Sequence, residues 1–210
     1  MRITATEKEE SSEGIKYKIC LDNEDSFYVS EDEYLKHGLY EKSEISQSEI
    51  DDILLSVNFS KAKEKAIIFL SYKFRTEKEV EMKLEEEGFD SNIIQQVLTE
   101  LKAEGYINDM RYVRKYLHDR KKLNPKSKRM LIYELRKKGI RKEYILQGIE
   151  ELKFDNILVA EELIEKKFKG MDFSQKKTEK RVYQYLMYRG FTETEIKSAL
   201  RRLAERNITE

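Results

Sequence analysis

Apolar residues recur along most of the chain at the three- and four-residue spacing of a helix buried on one side, and that pattern is written three times. Val80 and Leu84 share a helical face; 51 residues on stand Leu131 and Leu135, and 51 further on Val182 and Leu186. The pair Gly88-Phe89 returns in the same register as Gly139-Ile140 and Gly190-Phe191. Ile94, Leu98 and Leu101 return as Ile145, Ile149 and Leu152, then as Ile196, Leu200 and Leu203. An ungapped register of this length is an internal repeat. Ahead of each copy lies another amphipathic stretch: Ala62, Ala66, Ile67 and Leu70; Tyr112, Val113, Tyr116 and Leu117; Ala160, Leu163, Ile164 and Phe168. Each repeat therefore predicts three helices.

The polar positions between these faces mark where the helices begin and end. Thr76 with Glu79, and Thr192 with Glu195, have the spacing of a capping box, in which hydroxyl and carboxylate satisfy amides of the first turn. The repeated glycine predicts a left-handed helix end, with the apolar residue after it folding back. Thr76 becomes Ser127 and then Thr178, each behind a basic residue. Asn124-Pro125 breaks the chain before the Ser127 helix, Asn108 or Asp109 caps the helix after Gly105-Tyr106, and 168–177 is the longest loop expected among the repeats. One unit has too little core to be secure alone, so neighbours are expected to stack into an elongated array.

Upstream of residue 58 the period changes. Residues 2–6 and 15–21 alternate, 26–29 is short and aromatic, and 9–14 and 22–25 are polar turn material. These predict a small antiparallel sheet. Ser30 with Glu33 opens a short helix ending near Gly38, and Ser46 with Glu49 opens another that carries Ile50, Ile53, Leu54 and Val57. The expected fold is mainly α: a tandem array of three three-helix repeats of 51-residue period with a small β-containing N-terminal unit. The division reads 1–57, an acidic N-terminal unit; 58–109, repeat one; 110–153, repeat two; and 154–210, repeat three.

Composition narrows the class. Charged residues make up 39% of the 210, with one proline, Pro125, which suits long, surface-charged helices. A single cysteine, Cys20, leaves no intramolecular disulfide and fits a reducing compartment. Without an apolar run of membrane-spanning length or a signal-peptide core, a cytoplasmic protein is expected. His37 and His118 are isolated, lack metal-ligand spacing and are expected at the surface, so no metal or cofactor is expected. No phosphate loop, zinc pattern or nucleophile elbow stands out, and no enzyme is expected.

The net charge of zero hides a strong polarity. Residues 1–56 hold six basic and fifteen acidic side chains, a net of −9, while 110–142 hold fourteen basic and two acidic ones, a net of +12. Charge segregated this way speaks of partners rather than fold. Arg111, Arg114, Lys115, Lys121 and Lys122 fall off the apolar face of the first helix of repeat two. Lys128, Arg136 and Lys137 point away from Leu131 and Leu135 on the next. With Lys126, Arg129, Lys138 and Arg141 they form the candidate basic face, fit for phosphate, for acidic protein, or to remain a solvated surface. Tyr112 and Tyr116 are expected in the core, whereas Tyr72, Tyr133 and Tyr188 are left open as stacking residues. The acidic N-terminal unit is open to a solubilising role, to mimicry of DNA, or to folding against the basic repeat.

Several stretches resemble one family. The run 70–79 (LSYKFRTEKE) resembles the opening signature of the first RecX repeat, and Gly105-Tyr106-Ile107-Asn108-Asp109 resembles the family's junction motif. Pro125 followed by Glu134-Leu135-Arg136-Lys137-Lys138-Gly139-Ile140 resembles its central repeat, and Arg189-Gly190-Phe191 its last. The likeness covers about residue 62 to the C-terminus, and the N-terminal strands resemble the extension of longer members. Asn124 departs from the pattern, so that turn is expected to differ. The resemblance implies a monomeric regulator, in the inhibitory sense, of the RecA recombinase. It implies a protein that lies in the groove of the RecA filament on single-stranded DNA and impedes ATP hydrolysis, strand exchange and filament growth. The basic face is then the RecA- or DNA-binding site. The residues by themselves leave open a nucleic-acid-binding protein without a dedicated protein partner, and a helical adaptor.

Overall fold

A computed structural model describes residues 1–11, 14–173 and 175–209. They form two compact units, Met1–Lys73 with Val80–Tyr106, and Phe74–Glu79 with Ile107–Glu210. The fold is mainly helical, with three-helix repeats behind a small N-terminal sheet.

In the first unit, β1 (Ile3–Ser11), β2 (Gly14–Leu21) and β3 (Ser26–Ser30) form an antiparallel sheet in the order β1-β2-β3. β1 runs well past the alternating residues 2–6, because opposite charges continue the pairing where apolar alternation stops: Glu7 faces Lys18 and Glu9 faces Lys16. The centre of the expected 9–14 turn, Ser12 and Glu13, lies outside the described residues. Ile19, Leu21, Phe27 and Val29 turn to one face of the sheet and are buried with Leu39, Ile45, Ile50, Ile53 and Val57.

Ser30 caps α1 (Glu31–Lys36), its hydroxyl accepting the Glu33 amide at 3.2 Å. Ser46 and Glu49 form the expected capping box at the start of α2 (Gln47–Ser71). The two amphipathic stretches on either side of residue 58 belong to this one helix of 25 residues. Neither glycine nor proline interrupts it, and its buried face changes partner along its length. Ile50, Ile53 and Val57 belong to the sheet core, while Ala62 and Ala66 are buried further on, where α2 packs on α4 (Ser91–Ala103).

His37 is not the isolated surface residue expected. Its Nε2 lies 3.1 Å from the buried Glu33 carboxylate, which also accepts from Ser56 at 2.8 Å and Ser60 at 2.7 Å. Burial pushes the Glu33 carboxyl up, but the two hydroxyls, Lys36 and His37 outweigh it and hold the group below its ordinary value.

α3 (Glu77–Glu86) contributes its first turn to the second unit and its remainder, with Val80 and Leu84, to the first. The second unit continues with α5 (Asp109–Leu123), α6 (Lys128–Lys137), α7 (Lys142–Glu151), α8 (Asn156–Phe168), α9 (Lys176–Tyr188) and α10 (Glu193–Thr209). Val113, Leu117, Leu131, Leu135, Ile140, Ile145 and Ile149 build one core; Ile164, Val182, Leu186, Phe191 and Ile196 belong to the other. All six positions of the Val80/Leu84 register are at most 1% exposed. Each middle helix ends in the same way. Gly88, Gly139 and Gly190 have φ of 82°, 80° and 88°, and the amide after each reaches back to Leu84, Leu135 or Leu186 at 3.1–3.3 Å.

Inside the second unit the joint between successive repeats occurs twice. Thr76 Oγ1 donates to the carbonyl of Lys138 at 2.9 Å, and the Ser127 amide donates to the carbonyl of Arg189 at 3.1 Å, each acceptor lying just ahead of a turn glycine. The Glu77 amide is taken by Asp109 Oδ1 at 3.0 Å, and its counterpart, the Lys128 amide, by Asn156 Oδ1 at 2.7 Å. The starts of α3 and α6 are thus capped partly by the first helix of the next repeat. In the third copy α9 begins at Lys176, so Thr178 lies inside the helix and does not cap it.

Candidate binding face of the middle repeat

Burial of one stripe on each helix decides where the cations go. On α5, Val113 and Leu117 are inside and Tyr112 and Tyr116 are half-buried, which leaves Arg111, Arg114, Lys115, Lys121 and Lys122 exposed. On α6, Leu131 and Leu135 are inside, and Lys128, Arg129, Arg136 and Lys137 are exposed. Arg141 is exposed ahead of α7. Lys126 and Lys138 are half-buried.

Their partners divide these cations into two groups. Arg114 holds Glu151 through two bonds, at 2.8 and 2.9 Å; Lys115 lies 3.2 Å from Asp119; Lys126 is bound to Glu134; and Lys138 reaches Glu79 at 2.7 Å. The Arg111 guanidinium lies 5.0 Å from the centre of the Phe74 ring. Much of the positive charge around α5 is therefore tied to the fold. Lys121, Lys122, Lys128, Arg129, Arg136, Lys137 and Arg141 make no side-chain ion pair among the described residues, so their charge faces solvent. Most of the unpaired charge lies on α6.

Half-buried carboxylates anchor the paired group. Burial pushes Glu134 up, but Lys126, Tyr116 and Arg120 hold it below the usual carboxylate value. The Tyr116 phenol donates to Glu134 at 2.7 Å, and its burial beside that carboxylate pushes it up to about 12. Glu79 shows the same balance: burial raises it, while the Lys138 ammonium and the Thr76 amide outweigh that and lower it. Tyr112 and Tyr116 pack where expected, with ring centres 6.1 Å apart, and Arg120 lies 4.9 Å over Tyr116. Arg120, absent from the candidate set, is thereby part of this network.

Two further features surround the face. Phe74 is 44% exposed beneath Arg111 and Lys115. Tyr133 is 60% exposed on the outer side of α6 and contacts no other ring among the described residues. Among the described residues no cluster of His, Cys, Asp and Glu could hold a metal, and no helix is long and apolar enough to cross a membrane. The arrangement is a helical surface of exposed positive charge, suited to holding a polyanion or an acidic protein surface.

Comparison with known proteins places this geometry. Three family models match in chain order: the first three-helix domain of RecX at residues 62–101, the second at 108–148 and the third at 159–200. The curated "Regulatory protein RecX" of Streptococcus pneumoniae strain Hungary19A-6 is 32% identical over 201 residues, 95% of this chain and 76% of the relative. That of strain CGSP14 is 31% identical over the same length. A crystal structure of regulatory protein RecX superposes with a TM-score of 0.70 at 22% identity, covering 94% of this chain and 98% of that one. RecX from Lactobacillus salivarius gives 0.59 at 22% identity, over 70% of this chain and 97% of that one. Three repeats in register, each matched by its own family model, place this chain in the RecX family of regulatory proteins.

Proposed function

We propose that this protein regulates the RecA recombinase by docking on the RecA filament formed on single-stranded DNA, and that it lowers ATP hydrolysis, strand exchange and filament growth. Family membership supports a regulatory role. The observation that carries the docking surface is the row of exposed cations along α6, Lys128, Arg129, Arg136 and Lys137, which make no ion pair among the described residues, in a chain whose net charge is zero. A filament groove exposes DNA phosphate beside protein, and a concentrated cationic helix is suited to both. On this reading the protein acts as a cytoplasmic monomer without cofactor or catalytic residues, and its working modules divide near residues 109 and 153, whereas the boundary expected at 57 falls inside α2. The test is RecA ATPase on single-stranded DNA with this protein titrated in. A falling rate supports the proposal, and an unchanged rate at saturating protein refutes it. The competing reading, a nucleic-acid binder without a dedicated partner, requires tight, salt-sensitive binding to bare DNA and no effect that depends on RecA.

A further inference from the structure

Tyr133 has no structural task on α6. It shares the outer face of the helix with Arg129, Arg136 and Lys137, at spacings of four, three and four residues. It is 60% exposed and makes no hydrogen bond or ring contact among the described residues. The other tyrosines of this repeat behave differently: Tyr112 and Tyr116 are half-buried, stacked on each other and covered by cations, and Tyr144 is half-buried against the core.

The repeat does not explain the arrangement either. At the positions 51 residues earlier, the same helix face carries Lys78, Met82, Glu85 and Glu86; 51 residues later it carries Lys180, Gln184, Met187 and Tyr188. The fold therefore accepts anionic or neutral residues here. Of these three faces, that of the middle repeat is the one that sets its ring among three cations.

A second exposed ring lies at the neighbouring joint. Tyr188 is 83% exposed at the end of α9. The next residue, Arg189, accepts the Ser127 amide at 3.1 Å, and a Cβ at Gly190 would stand 2.6 Å from Ser127 Oγ. The turn that follows Tyr188 thus abuts the start of α6. From there the outer face of α6 presents Arg129, Tyr133, Arg136 and Lys137 in order, one ring flanked by cations.

We infer that this surface binds a single nucleic-acid strand, with Tyr133 and Tyr188 stacking on unpaired bases and Arg129, Arg136 and Lys137 holding the phosphates between them. Rings need free base faces, which a single strand offers and a duplex conceals, so the pair of tyrosines confers preference for single strands. The inference rests on the α6 face being the functional one. Strand binding is read without RecA and RecA ATPase is read separately, so that the two proposals fail separately.

The chain contains no tryptophan, so Tyr133→Trp introduces a unique fluorophore. Its emission should be quenched by a short oligothymidylate and unchanged by an equal concentration of duplex. In fluorescence anisotropy with labelled oligothymidylate, Tyr133→Ala should weaken binding roughly tenfold with an unchanged salt slope, and Tyr133→Phe should bind as the parent does. Arg136→Ala should instead flatten the logarithmic salt slope by roughly 0.7. An unquenched tryptophan, or Tyr133→Ala binding like the parent, would overturn the inference, as would a parent protein that does not hold the strand. If Tyr133→Ala keeps the oligothymidylate but loses its effect on RecA ATPase, the ring contacts protein, and the stacking role is refuted while the regulatory proposal stands.

Discussion

The Thr76 hydroxyl donates to the carbonyl of Lys138 at 2.9 Å, while its oxygen accepts the Glu79 amide at 3.2 Å. A hydroxyl has one proton and two lone pairs, so a single buried side chain both caps α3 and fastens that cap to the turn ahead of Gly139. Local helix initiation and the joint to the next repeat are thereby one interaction. Thr76→Ala should lose both bonds and destabilise the protein by about 1–2 kcal/mol, whereas Thr76→Ser should keep most of the stability. Denaturant midpoints of the two variants check this. Equal losses would show that the methyl, not the hydroxyl, matters.

The three turn glycines should not be equally sensitive. All have positive φ, so alanine at any of them carries a conformational penalty of about 1 kcal/mol. At Gly88 a Cβ meets nothing within 4 Å; at Gly139 it would lie 2.4 Å from Lys78 Cβ. Lys78 cannot swing its own Cβ aside, so the joint must open. Gly139→Ala should therefore cost about 2 kcal/mol or more, clearly above Gly88→Ala. Chemical denaturation of both would show the order, and equal losses would mean that the close approach is relieved without strain.

Acid should loosen the same joint. Glu79 is held below its ordinary value of 4.5 in the folded protein. Its carboxylate therefore contributes stability that is fully present above that value and is lost as pH falls through the lower, folded one. Glu79→Gln should be less stable than the parent at neutral pH, and the gap should narrow as pH drops below about 4.5. Urea midpoints measured across that range test the sign. A gap that stays constant would show that Glu79 does not couple protonation to folding.

Features set by neighbouring residues were legible in the chain. The register of Val80/Leu84, Leu131/Leu135 and Val182/Leu186, the capping boxes and the glycine turns all follow from spacing within a few residues. Contacts between helices were not. Arg114 and Glu151 are 37 residues apart, and nothing in their immediate surroundings pairs them. The joint contacts of Asp109 and Asn156 with the next-to-last helix start of the preceding repeat were equally hidden, because their spacings of 32 and 28 residues follow from loop lengths rather than from the 51-residue period. His37 is a different case: it stands four residues after Glu33 on one helical face, a spacing that signals an ion pair. For the candidate face, charge density singled out the middle repeat, but only the ion pairs separate the cations that hold the fold from those that face solvent.

That separation changes which variant is informative. Reversing Arg114 or Lys138 would break bonds to Glu151 or Glu79 and confuse folding with binding. Reversing Lys128, Arg129, Arg136 and Lys137 to glutamate removes no ion pair among the described residues, so helical content by circular dichroism should match the parent. The measurement that bears most directly on the central claim is RecA ATPase on single-stranded DNA, with the parent and this fourfold variant titrated in parallel. The parent should lower the rate, and the folded variant should leave it close to that of RecA alone. A folded variant that inhibits as strongly as the parent would contradict the account.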